Sequence, residues 1–92
     1  MTARDVTISN RLGLHARAAA KFVHVASGYA SHIQVGRDGR IMDGKSIMGI
    51  LLLAAARGTT ITITAEGVDE VDAVNALSDL VAGGFGEYTW NG

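Results

Sequence analysis

The chain has no cysteine and no proline, and only 5% of its 92 residues are aromatic. The first absence excludes disulfides, thiolate chemistry and cysteine-ligated metals. The second leaves the punctuation of the chain to its twelve glycines, because no residue has a locked φ or lacks an amide donor. Charge of one sign is missing too: eight Lys and Arg stand against nine Asp and Glu, a formal net charge of −1. That balance speaks against a nucleic-acid binder, which needs a basic face to neutralise phosphates. Nor is there a long apolar run. The longest, Ile50 to Ala56, falls far short of the roughly 20 residues that a membrane span requires. Met1 to Asp5 offers no apolar stretch for a signal peptide. What is present, 48% apolar and 18% charged residues, is a globular composition, and a chain of this size supports one core rather than two. The expectation is a single soluble domain over residues 1–92, cytoplasmic, with neither nucleic acid nor membrane among its partners.

Periodicity divides the chain. Val6-Thr7-Ile8-Ser9 alternates apolar and polar, as a half-buried strand does. Ala19, Phe22, Val23 and Ala26 fall on one face of a helix predicted over Ala16 to Ser27, and Gly28 can end it. Ile33 and Val35 mark a second strand. Asp38-Gly39, ahead of Arg40-Ile41-Met42, is a two-residue hairpin signal that makes strands two and three antiparallel neighbours. Ser46 suits the N-cap of a short apolar helix predicted over Ile47 to about Arg57, with Gly58 at its end. Thr60 to Ala65 alternates Thr with Ile and is the clearest strand. Asp69 can cap a last helix whose Val71, Val74, Leu77, Leu80 and Val81 form an apolar stripe, closed by Gly83-Gly84. From Phe85 onward the chain carries Tyr88 and Trp90 without a period, and the tail, 86–92 in particular, is expected to fray.

The order β-α-β-β-α-β-α predicts the α+β class. Its simplest form is an open-faced two-layer sandwich, with one four-stranded antiparallel sheet covered on one face by helices. Thr7, Gln34, Thr60, Thr62 and Thr64 would line the solvated outer face.

Three histidines raise the question of a metal. His15 and His24 are nine residues apart, which at about 100° per residue turns them to opposite sides of a helix. No pair has the i, i+4 spacing of a helical zinc site, so no metal site is expected, and His24 and His32 read as surface residues. His15 has a different setting. It follows Gly13-Leu14 and opens a helix, with Arg17 two residues on. A helix start offers unpaired N–H groups and about half a positive charge, which suits a phosphate. A histidine ordinarily titrates near 6.5 and is largely neutral and nucleophilic at pH 7. His15, Arg17 and the amides of Ala16, Arg17 and Ala18 thus combine a nucleophile, a charge clamp and an anion nest. The plainer alternative is a tolerated loop histidine.

Gly39 to Ser46 also satisfies the pattern G-x-x-x-x-G-K-[ST] of a phosphate-binding loop. Its spacer holds Ile41-Met42, which belong to a hairpin strand. Asp38-Gly39 predicts an antiparallel return, whereas nucleotide folds of that type need a parallel crossover. The match reads as accidental. Ser46 serves as an N-cap whatever else it does, and a hydroxyl at a helix start could also accept a phosphate. The helix after it is apolar nearly all round. Met48 and Leu52 share a face that so small a domain cannot easily bury, and an exposed Met-containing patch suggests partner docking, with extra core as the alternative.

Asn10-Arg11-Leu12-Gly13-Leu14-His15-Ala16-Arg17 and Gly44-Lys45-Ser46-Ile47-Met48-Gly49-Ile50 resemble the two signature segments of the HPr family, the histidine-containing phosphocarriers of the bacterial phosphotransferase system. The likeness extends over about Val6 to Glu87. It implies a stoichiometric carrier rather than an enzyme with turnover of its own, without a cofactor and monomeric. In that family a phosphoryl group comes from phospho-Enzyme I, charged by phosphoenolpyruvate, and passes to an EIIA-type acceptor. The resemblance makes His15 the phosphorylated residue, through Nδ1, and Arg17 the residue that stabilises the phosphohistidine. It makes Ser46 a target of HPr kinase/phosphorylase, and Ala20, Ile47, Met48 and Leu51 the docking surface. The Ser46-Ile47-Met48-Gly49 segment and the Gly83-Gly84-Phe85-Gly86-Glu87 ending look like proteobacterial and nitrogen-branch members. One departure stands out: Ala18 occupies the place of a usual proline. The competing class is a small binding module whose His15 no longer carries phosphate.

Overall fold

The computed structural model describes residues 1–87. Strands β1 (Thr2–Thr7), β2 (His32–Arg37), β3 (Arg40–Asp43) and β4 (Thr60–Glu66) form one sheet in the order β1-β4-β2-β3. Every neighbouring pair is antiparallel. Helices α1 (Ala16–Ser27), α2 (Ile47–Leu52) and α3 (Glu70–Ala82) intervene, and a 3₁₀ turn, Gly84–Gly86, follows. This is the expected open-faced α+β sandwich. Among the described residues no helix is long and apolar enough to cross a membrane.

The period-2 alternation in β4 explains the layering. Ile61, Ile63 and Ala65 are fully buried beneath the helices, while Thr60, Thr62 and Thr64 turn to the other face. Antiparallel register sets Ile33 opposite Ala65 and Val35 opposite Ile63, so both strands give their aliphatic side chains to one core. Phe22, Ala19 and Ala26 of α1 with Val74, Leu77 and Val81 of α3 close that core from above. The hairpin between β2 and β3 forms as the Asp-Gly pair predicts: Asp38 and Gly39 both have positive φ, 49° and 82°, as a type I′ turn requires.

The structure corrects several expectations. The first strand runs Thr2–Thr7 rather than Val6–Ser9, though Ile8 still bonds to Thr59 and Gly58 beyond its end. Helix α2 stops at Leu52 and not near Arg57, and Ala54 adopts φ 51°. The donors that end it come from the hairpin. The Arg37 guanidinium donates to the carbonyls of Leu53 and Ala54, both at 2.8 Å, and Arg40 donates to that of Leu52 at 3.1 Å. Carbonyls at a helix end need such partners, and these lie in another element. Asp69 makes no capping bond to α3. Its carboxylate instead accepts the amides of Ala30 and Ser31 at 2.8 and 2.9 Å, as well as the Ser31 hydroxyl. It thereby ties the loop after α1 to the loop after β4, and the Ser31 hydroxyl and the Ala30 amide hold its carboxyl below the usual carboxylate range.

On α3, Val71 is exposed, and Ala73 and Ser78 join Val74, Leu77 and Val81 inside. At 100° per residue Val71 lies roughly 90° from the mean direction of Val74, Leu77 and Val81. The tail also departs from expectation at its start. Phe85 is 1% exposed, and Gly86 and Glu87 bond back to Gly83 and Gly84. A large aromatic in the core outweighs the lack of periodicity around it. Tyr88 and Trp90 lie outside the described residues.

Candidate functional site

The segment from Asn10 to His15 connects β1 to α1 and is held from three sides. Gly13 has φ 67° and passes so close to Ala55 that an added Cβ would meet its carbonyl oxygen at 2.6 Å. Only glycine meets both conditions without strain. The Leu14 amide donates to the same carbonyl at 3.0 Å, and buried Asn10 donates through Nδ2 to Gly13 O at 2.8 Å. His15 is the N-cap of α1, in extended backbone conformation. Its carbonyl accepts the Ala19 amide, the first regular helical bond.

The imidazole is half-buried and engaged at both nitrogens. Nδ1 accepts the Arg17 amide at 3.2 Å, and Nε2 is paired with the Glu87 carboxylate. An atom that accepts from an amide presents its lone pair, so the proton of the neutral ring belongs on Nε2. Nδ1 then carries the lone pair, and it faces the start of the helix. Neither the Ala16 nor the Ala18 amide has a backbone acceptor among the described residues, so both remain available to an anion, as at other helix N-termini. Arg17 is exposed beside them. Ala18 is fully buried.

Sequence reasoning missed Glu87. It lies 72 residues from His15, in the stretch expected to fray. Its other carboxylate oxygen accepts Asn10 Nδ2 at 3.0 Å. Burial pushes the Glu87 carboxyl up, but the bonds from Asn10 and His15 and the charges of His15 and Lys21 outweigh this, leaving it below its ordinary range. Glu87 is therefore ionised at neutral pH.

Ser46 lies at the start of α2 and its Oγ accepts the Gly49 amide at 3.0 Å, so the capping expectation holds. The Lys45 ammonium of the apparent phosphate loop donates to Tyr29 O at 2.7 Å. A Cβ on Gly44 would meet Ile33 Cγ2 at 2.5 Å. Both residues therefore hold the chain after β3 against β2 and the loop that precedes it. Of the four docking candidates, Ala20, Ile47 and Met48 are exposed and Leu51 is half-buried against the core. Met48 is 66% exposed. Leu52 and Leu12 are exposed as well; Leu12, in the first signature segment, carries no periodic signal that would have marked it. His24 and His32 are at the surface, and among the described residues no three His, Asp or Glu side chains stand together as a metal site would need.

His15 at a helix start, with unpaired amides beside it, thus lies on an open-faced sandwich that also exposes apolar side chains of α2. Known proteins are consistent with this. Residues 2–83 match the family model described as PTS HPr component phosphorylation site. The phosphocarrier protein HPr of Cupriavidus necator is 49% identical over 87 residues, 95% of this chain and 98% of its own. That of Pseudomonas aeruginosa is 50% identical over 88 residues, with the same shares. Among solved structures, HPr-C-His from Thermoanaerobacter tengcongensis superposes with a TM-score of 0.93 at 44% identity, over 97% of this chain and all of that one. The phosphocarrier protein HPr from Bacillus anthracis gives 0.84 at 42% identity, over 87% and 95%. The chain belongs to the HPr family of phosphotransferase-system phosphocarriers.

Proposed function

We propose that this carrier takes a phosphoryl group onto Nδ1 of His15 from phospho-Enzyme I and passes it to an EIIA-type acceptor. The observation that carries this reading is the engagement of the imidazole: the lone pair of Nδ1 faces the amides of a helix start, and the proton sits on the far nitrogen. Arg17 and the amides of Ala16 and Ala18 are the groups that would receive the phosphoryl oxygens. A helix end and one exposed arginine stabilise the adduct modestly, which suits a group that has to leave again. Ala20, Ile47, Met48 and Leu51 make the docking surface, and the carrier works as a cytoplasmic monomer. Ser46 is a regulatory site for HPr kinase/phosphorylase, where phosphorylation would add charge at the edge of that same surface.

Incubation with phosphoenolpyruvate, Mg²⁺ and Enzyme I, followed by intact mass and mild acid, tests the relay. The expected result is an acid-labile gain of one phosphoryl group, absent in His15→Ala. No gain with several Enzyme I homologues would point instead to a binding module that has kept the fold. Onward transfer to sugar-branch or nitrogen-branch EIIA proteins identifies the acceptor. ATP-dependent labelling by a cognate kinase that persists in Ser46→Ala would remove the regulatory role.

A further inference from the structure

We infer that Glu87 is a positioning residue for the transfer, its carboxylate holding the proton on Nε2 of His15 while Nδ1 takes and gives the phosphoryl group. The inference rests on the carrier reading above. Its basis is the way the 3₁₀ turn is built. Gly84, Phe85 and Gly86 all have positive φ, at 65°, 58° and 73°, and a phenylalanine is held there only when surrounding contacts impose it. Phe85 is locked by burial, and its carbonyl accepts Lys21 Nζ from α1 at 2.7 Å. The turn then directs Glu87 back across the loop. One of its oxygens is held by Asn10, and the other meets Nε2. Asn10 also holds Gly13 O, so one buried side chain aligns both the loop that carries the histidine and the carboxylate that faces it. Lys21 and His15 are the charged and titratable groups that face this carboxylate.

The transfer balances without a proton leaving the site. On the way in, the Nδ1 lone pair attacks phosphorus, the bond from phosphorus to the donor atom breaks, and its electron pair leaves with the donor. The ring is left phosphorylated on Nδ1 and protonated on Nε2, a cation that the carboxylate neutralises. On the way out, the Nδ1–P bond breaks and its electron pair returns to Nδ1. The ring departs as the same neutral tautomer. Charge-assisted hydrogen bonds are the strong ones, so the carboxylate keeps the phosphorylated ring cationic, the form that leaves readily, up to higher pH.

The test uses the full chain, Glu87→Gln and Glu87→Ala, each phosphorylated on His15. Loss of the phosphoryl group is followed by intact mass from pH 5 to 9, and the ring nitrogens by ¹⁵N NMR. In both variants the fall in rate with rising pH should begin about one unit earlier, making loss about tenfold slower at pH 8. Glutamine can still accept from Nε2 but carries no charge, so a structural role for the contact would leave Glu87→Gln at the rate of the parent. That outcome overturns the proposal. So does a proton found on Nδ1 in the unphosphorylated parent at pH 8.5. Failure of the parent itself to take up phosphate would refute the carrier reading, and the ¹⁵N spectra of the unphosphorylated chains would still show whether Glu87 fixes the proton.

Discussion

Phe85 separates a tail that frays from a tail that is part of the core, and two substitutions there distinguish them. Truncation to alanine removes most of a buried aromatic side chain. About 150 Å² of apolar surface at 25 cal/mol per Å² is roughly 4 kcal/mol, in line with the 3–5 kcal/mol typical of buried Phe→Ala changes. In a domain of this size that is a large part of the total stability. The loss should appear as a drop in Tm on the order of 15–30 °C and a matching fall in the urea midpoint, both read by far-ultraviolet circular dichroism. The backbone supplies a second, sharper expectation. Phe85 sits at φ 58°, ψ 25°, a left-handed conformation that costs a residue with a Cβ about 1–2 kcal/mol. Glycine escapes that cost, so Phe85→Gly should be more stable than Phe85→Ala by roughly 1 kcal/mol. At an ordinary position the order is reversed, because glycine loses more chain entropy on folding. An alanine variant that loses less than about 1 kcal/mol would show that the ring is not in the core. A glycine variant below the alanine variant would show that the turn is not left-handed.

Further outcomes follow from the contacts at the other edges of the sheet. Glu70 accepts the Thr2 hydroxyl at 2.6 Å and pairs with the Met1 amino group, and these hold its carboxyl down to about 2 from an ordinary 4.5. Its stabilising effect is complete above pH 4.5 and is lost as pH falls toward 2; the urea midpoint should decline over that window, less steeply in Glu70→Gln, and equal slopes would refute the assignment. Arg37→Ala removes the donor to Leu53 O and Ala54 O and should cost about 1–3 kcal/mol. It should also speed hydrogen exchange in Leu51 to Leu53; unchanged exchange there would mean that α2 ends for another reason. Ala18 lies in the first turn of α1 and its amide has no backbone acceptor. Ala18→Pro should therefore fold and gain about 0.4–1 kcal/mol by restricting the unfolded chain, and a clearly lower Tm would contradict this.

What could be read from the sequence was what neighbouring residues decide together. The alternation Thr60 to Ala65, the Asp38-Gly39 turn and the Ser46 cap each rest on interactions within a few residues, and each is found as expected. The end of α2 was not legible, because nothing between Leu51 and Arg57 stops a helix. The stop is imposed by Arg37 and Arg40, which reach it only after the hairpin has folded against it. Asp69 illustrates the same limit from the other direction. It has the side chain of a cap and occupies the position of one, yet the amides of Ala30 and Ser31, brought in by packing, take the carboxylate instead.

The site divides along the same line. A histidine at a helix start is a local pattern, so the place of His15 at the N-cap of α1 and the unpaired amides beside it could be inferred from a few consecutive residues. The group that determines where the ring's proton resides comes from the far end of the chain. Glu87 follows three residues with positive φ, a stretch that in sequence terms signals only a break in regular structure. Those glycines look like the loosening of a tail when read one after another. Around a buried Phe85 whose carbonyl is held by Lys21, they have the opposite effect, because glycine is what lets the chain turn tightly enough to bring a carboxylate back to α1. A glycine-rich ending is therefore a signal of fraying only when nothing large and apolar lies within it. Gly-Gly-Phe-Gly-Glu fails that condition at Phe85, and the aromatic residue is the one sign in the sequence that the last charged side chain is held in place.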